Sequence, residues 1–217
     1  MNKRPVRGKL LVFGLAVAIS CQQRESPSKS PSVGTQASVA APLSVPTPQQ
    51  TDFSDLTFTD PDGREVPIKK YLEGKSLVLV FTRGYFGSFC MYCATQTSRL
   101  IANYDKFASK NAEVVVVFPV RKPRDQTRAQ EFWRNLKMEE QAEKESAIFP
   151  FLLDLELEMV KRLGIEENLA KPSTYILDSD GKVHFAYIGA NHADRPSIKV
   201  LLDQLDAINH EKESVAR

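Results

Sequence analysis

The sequence predicts an α/β fold, a mixed central β-sheet with helices on both faces. Three observations carry this. Residues 77–81 and 113–119 are almost unbroken apolar runs, rich in Val and Leu, the pattern of strands covered on both sides. Between them Thr97, Leu100, Ile101, Tyr104, Phe107 and Ala108 recur at helical spacing. Near the end, Asp178-Ser179-Asp180-Gly181 is a hairpin turn leading into 182–188, which makes the sheet mixed rather than wholly parallel.

The elements follow in order. Leu56-Thr57-Phe58-Thr59 alternates, Asp60-Pro61-Asp62-Gly63 turns, and Arg64-Glu65-Val66-Pro67 resumes, which predicts a short hairpin. A helical turn follows near 68–72, with Glu73-Gly74-Lys75 as its stop, before the strand at 77–81. A helix is predicted over about 90–109 and a second buried strand over 113–119. Residues 121–145 are highly charged, with Phe132, Trp133 and Leu136 on one face, so a surface helix anchored by Trp133 is expected. A short strand at 151–154 precedes a short helix over 156–163, ended by Gly164. Residues 173–178 read as a third core strand, with His184 in the following strand as a structural residue. The last helix is expected over about 195–208, where Ile198, Leu201, Leu202, Leu205 and Ile208 form an apolar stripe.

The first 51 residues are of another kind. Lys3, Arg4, Arg7 and Lys9 give a basic start, residues 10–20 are apolar or small, and Cys21 follows. That is the plan of a secretory signal over 1–20, and its apolar stretch is too short to span a bilayer. Ala18-Ile19-Ser20-Cys21 resembles the lipobox of bacterial lipoproteins, with Ala18 where Leu is usual. The resemblance implies lipidation at Cys21 and an exported protein anchored to a membrane, facing the periplasm or extracytoplasmic space. Residues 21–51 are rich in Ser and Pro and contain no aromatic residue, so they read as a disordered tether. A folded domain is expected over 52–210 and a tail over 211–217. The formal charge is +2, and without the four basic residues of the signal it is −2, so no nucleic-acid footprint is present.

The chemistry is carried by Cys90 and Cys93. They sit two residues apart where a buried strand ends and a helix begins. The unpaired N–H groups and positive field of a helix N-terminus favour a thiolate, the reactive form of cysteine. Positions i and i+3 of a first turn share a face, so the two sulfurs can close a disulfide. In a βαβ setting C-x-x-C reads as a thioredoxin-like redox motif. Cys90 is then the more exposed nucleophile and Cys93 the resolving thiol. Zinc would need two further ligands, and His184, His192 and His210 have no paired spacing, so neither metal nor other cofactor is expected. Phe86, Phe89 and Tyr92 are expected to form an apolar rim around the pair.

From about residue 53 to 208 the chain resembles the thioredoxin-like superfamily, and within it the redoxin branch of AhpC/TSA peroxiredoxin-like proteins and thiol–disulfide oxidoreductases. Four stretches carry the resemblance: Arg83-Gly84 with Phe89-Cys90-Met91-Tyr92-Cys93; Lys171-Pro172-Ser173-Thr174-Tyr175-Ile176-Leu177-Asp178; Asp180-Gly181-Lys182-Val183; and Gly189 with Ala193-Asp194-Arg195-Pro196-Ser197. It implies that Pro172 is cis and offers a substrate-side platform beside the dithiol, a role that a trans peptide would remove. Peroxiredoxins proper carry P-x-x-x-[ST]-x-x-C, and here Arg83 and Gly87 stand in place of the Pro and Thr, so the usual peroxide-orienting site is absent. Arg83 and Arg121, near strand ends on the cysteine side, are candidates for stabilising a thiolate or a peroxide. The expected function is thiol–disulfide exchange with protein dithiol or disulfide partners. The alternatives are a peroxidase, in which Cys90 is oxidised by peroxide and Cys93 resolves it, and a non-catalytic binding or copper-delivery module.

Overall fold

The computed structural model describes residues 52–141 and 149–215. Its strands are β1 (Thr57–Thr59), β2 (Glu65–Pro67), β3 (Ser76–Phe81), β4 (Ala112–Val120), β5 (Phe151–Leu155), β6 (Glu166–Glu167), β7 (Leu169–Ala170), β8 (Ser173–Leu177) and β9 (Val183–Ile188). The helices are α1 (Met91–Ala102), α2 (Tyr104–Ala108), α3 (Gln126–Gln141), α4 (Glu158–Arg162) and α5 (Ile198–Val215). Seven strands form one mixed sheet in the order β2-β1-β5-β4-β3-β8-β9, while β6 and β7 pair separately. At its centre β3 lies parallel to β4 and antiparallel to β8, so Val80 is flanked by Val116 and Thr174.

The pleat sorts the core into two layers. Val78, Val80, Val114, Val116 and Phe118 turn to the face covered by α1, α2, α3 and α5, where they meet Leu100, Phe107, Phe132 and Leu205. Leu77, Leu79, Phe81, Val115 and Val117 turn to the other face and meet Phe53, Ile68, Met159 and Ile165. Every residue of β3 is buried, as its unbroken apolar run requires. Each such side chain contributes about 1.5–3 kcal/mol by leaving water. Trp133 anchors α3 by stacking on Phe151, with ring centroids 4.8 Å apart. His184 is structural, its Nε2 lying 2.7 Å from Asp178 Oδ2.

Four boundaries differ from expectation. The helix expected over 90–109 is two helices broken at Asn103, whose Nδ2 donates to the Arg99 carbonyl at 2.8 Å and closes the first. The last helix begins at Ile198, because Arg195 precedes a proline and is disfavoured in helical geometry. It then runs through residues 211–215, expected as tail, whose Glu and Lys are good helix formers. The ribbon β6–β7 turns at Asn168, held at φ +57°, and is too short to show as a sequence pattern.

Gly189 ends β9 and opens the loop that leads to α5. A Cβ there would stand 2.5 Å from the Asp194 carbonyl oxygen and 3.1 Å from that of Pro172, both backbone atoms that cannot swing aside. Gly189→Ala is therefore expected to destabilise the domain by about 1–3 kcal/mol through overpacking. The midpoint of urea unfolding, at unchanged slope, is the measurement.

A candidate dithiol site

The site forms where β3 runs out. Gly84 sits at φ +88°, and a Cβ there would meet the Pro119 carbonyl oxygen at 2.5 Å, so only glycine lets the chain pass this close to β4. The loop beyond is braced by aromatic contacts. The Arg83 guanidinium lies over the Phe86 ring at 5.2 Å, and Tyr85 meets Phe89 edge-on at 5.6 Å. Cys90 then takes the N-cap position of α1, with extended backbone (φ −78°, ψ 111°) and no side-chain cap bond. Its carbonyl accepts from Cys93 N at 3.0 Å and Ala94 N at 3.1 Å, which starts the helix.

The two sulfurs are both free and differ sharply in environment. Cys90 is half-buried, at the edge of an exposed surface made by Phe86, Phe89, Met91 and Tyr92. Cys93, one turn on, is 1 % exposed and belongs to the sheet-side core. Hydrogen bonding from the Cys93 thiol is the main cause that brings the Cys90 pKa down to about 5. Backbone N–H groups of Cys93 and Tyr92 and the charge of Arg195 act in the same direction, against the penalty of partial burial. The first turn of α1 carries no acidic residue to oppose them. The same interaction, with burial, holds the Cys93 thiol well above the usual range. The two shifts run in opposite directions, favouring a thiolate at the rim and a thiol in the core near neutral pH.

The arginines are placed differently from expectation. Arg83 brings its backbone N–H to Cys93 Sγ at 3.4 Å, but its guanidinium goes to Phe86. Arg121 is exposed, and its guanidinium pairs with Glu166 at 3.8 Å. The guanidinium that reaches the pair is that of Arg195, whose Nη2 lies 3.3 Å from Cys93 Sγ. Sequence reasoning missed this role, although Arg195 stood in the Asp194-Arg195-Pro196-Ser197 stretch. Its loop is held by Asp194, which accepts from Ala190 N at 2.8 Å and from the Tyr187 hydroxyl. His192, in the same loop, packs its ring against Tyr92 at 5.5 Å.

Pro172 requires a correction. No cis peptide occurs among the described residues, so the Lys171–Pro172 bond is trans. Pro172 is buried and immediately precedes β8. Its carbonyl already accepts from Gly189 N at 2.8 Å. It therefore extends the sheet and is not a cis platform for substrate. Among the described residues no three His, Cys, Asp or Glu side chains are grouped as a metal site requires. Cys21, the expected lipid attachment point, lies outside the described residues.

The largest contributor to the lowered Cys90 pKa is the Cys93 thiol, which can be removed. An unfolded thiol titrates near ~8.5, so the thiolate's contribution to the reduced fold is complete above that pH and is lost as the pH falls through about 5. In Cys93→Ala the Cys90 pKa is expected to rise toward the ordinary thiol range. The pH dependence of alkylation by iodoacetamide measures it; an unchanged midpoint would assign the shift to the helix and Arg195 instead.

Residues 50–186 match the family model described as AhpC/TSA family. No curated protein matches the sequence significantly. Among solved structures the chain is similar to the yeast mitochondrial 1-Cys peroxiredoxin, at TM-score 0.60 and 14% identity over 75% of this chain and 76% of that one. It is similar also to the mitochondrial 2-Cys peroxiredoxin of Plasmodium falciparum, at 0.57 and 17% over 76% and 96%. A third likeness is to the peroxiredoxin 6 of Arenicola marina, at 0.58 and 14% over 73% and 72%. At such identities the structures establish a shared thioredoxin-like fold. The family match spans more than half of the sequence, and with it the chain belongs to the AhpC/TSA family and is a thiol-dependent oxidoreductase.

Proposed function

We propose that the protein is a membrane-tethered thiol–disulfide oxidoreductase of the extracytoplasmic space. The observation that carries this reading is the polarised pair itself: Cys90 half-buried at the N-cap of α1, and Cys93 buried one turn on with the Arg83 N–H and Arg195 Nη2 against its sulfur. Cys90 attacks a partner disulfide and forms a mixed disulfide, and Cys93 displaces the partner thiol and closes the Cys90–Cys93 bond. Read in reverse, the same steps oxidise a partner dithiol.

The surroundings favour a protein partner over a peroxide. Met91 is 80% exposed and Phe86 54%, so a second polypeptide can cover apolar surface beside Cys90. The Thr hydroxyl that orients peroxide in peroxiredoxins is replaced by Gly87, at φ +75° with open space around it. The peroxidase remains the second reading, supported by the family match. Mixing the reduced protein with hydrogen peroxide, and separately with an oxidised protein disulfide, separates the two in a stopped-flow assay of thiol loss. Disulfide exchange is expected to exceed the rate for free cysteine, and peroxide oxidation to match it. Peroxide oxidation orders of magnitude above free cysteine would move the assignment to the peroxidase.

The location rests on the basic start, the short apolar stretch and Cys21. Multiple acyl chains at Cys21 would hold the domain stably at a membrane through the Ser/Pro-rich tether, whereas one chain alone binds weakly and reversibly. Cells fed a radioactive fatty acid should label the wild type and leave Cys21→Ser unlabelled; equal labelling of both overturns the anchor.

A further inference from the structure

We propose that Arg195 is the catalytic residue of the resolving half-reaction, stabilising the Cys93 thiolate that must form inside the core. This rests on the dithiol reading above and deepens it. Resolution needs Cys93 as a thiolate, yet its sulfur is 1 % exposed and water cannot solvate the charge there. Two N–H donors from distant parts of the chain converge on that sulfur: the Arg83 backbone at 3.4 Å and Arg195 Nη2 at 3.3 Å. A neutral thiol is a weak acceptor and gains little from a cation. A thiolate gains much, so the pair of donors is matched to the charge that develops during the step, as an oxyanion hole is.

The guanidinium is also held in place before the step. Its Nε donates to Gln96 Oε1 at 2.7 Å, and its Nη1 donates to the His192 carbonyl. Gln96 is itself buried, one turn of α1 beyond Cys93. With two edges of the plane fixed, Nη2 is aimed at Cys93 Sγ, and its effect on Cys90 is through space alone. Gln96 is thus a positioning residue. In the step, Cys93 Sγ attacks Cys90 Sγ of the mixed disulfide. The Cys90–partner S–S bond breaks as the Cys90–Cys93 bond forms, the partner leaves as thiolate, and the proton given up by Cys93 ends on that thiolate through solvent. No external oxidant is consumed.

The test uses the full chain, reduced and mixed with oxidised glutathione, acid-quenched and read by mass spectrometry. It follows the Cys90–glutathione disulfide as it forms and resolves. Arg195→Gln is expected to form the mixed disulfide at close to the wild-type rate and to resolve it about tenfold or more slowly, so that the adduct accumulates. Arg195→Lys, which keeps the charge but not the planar fork, should fall between. Resolution at the wild-type rate in Arg195→Gln overturns the proposal. So does an equal slowing of both steps, which would assign Arg195 to Cys90. If Arg195→Gln does not fold, judged by circular dichroism, Arg195→Lys decides, with resolution expected about threefold or more slower and adduct formation unchanged. A wild type that forms no adduct at Cys90 overturns the dithiol reading itself, and the proposal with it.

Discussion

One constraint sets the character of the molecule: Cys90 and Cys93 stand one helical turn apart on opposite sides of the boundary between surface and core. Hydrogen bonding from the Cys93 thiol is the main cause that lowers the Cys90 pKa, and it acts across two different media. Cys90 caps a helix at the surface and Cys93 is packed among core side chains one turn later. Were both exposed, water would compete for the bond; were both buried, neither could lose its proton cheaply. The spacing places one sulfur on each side of the boundary between core and solvent. Stabilising the reduced, singly charged pair in this way also makes its disulfide the more readily reduced.

The sheet exists to hold that boundary still. β3 is buried on both faces and paired on both edges, so the loop leaving it begins from a firmly held strand. Gly84 passes the end of β4 at a distance that admits no side chain, and the aromatic contacts of Tyr85 and Phe89 carry the loop to α1. From the other side, Asp194 and Gly189 fix the loop that brings Arg195 to the same sulfur. The dithiol is thus supported from β3, α1 and the β9–α5 loop together.

Much of this was legible in the sequence, and what was not has physical reasons. The apolar runs at β3 and β4, the stripes on α3 and α5 and the hairpin before β9 are periodicities, and local pattern suffices to read them. The placing of two cysteines at a strand-to-helix junction was legible because their spacing and position after a strand are local too. The partner of the pair was not. Arg121 and Arg195 are each a charged residue near a strand end, and sequence cannot say that the first turns to Glu166 and the second to Cys93. Pro172 illustrates the opposite failure: a motif that implies a cis platform in relatives here starts a strand in trans, its carbonyl already spoken for by Gly189.

The contact between Arg195 and Cys93 spans 102 residues of chain. Synthesis proceeds from the N-terminus, so both cysteines emerge long before the arginine that serves them. Contacts so distant in sequence close late, after the sheet has paired, because their loop entropy is met only once other contacts hold the ends together. The buried sulfur therefore gains its guanidinium donor only in a chain extended through the loop between β9 and α5.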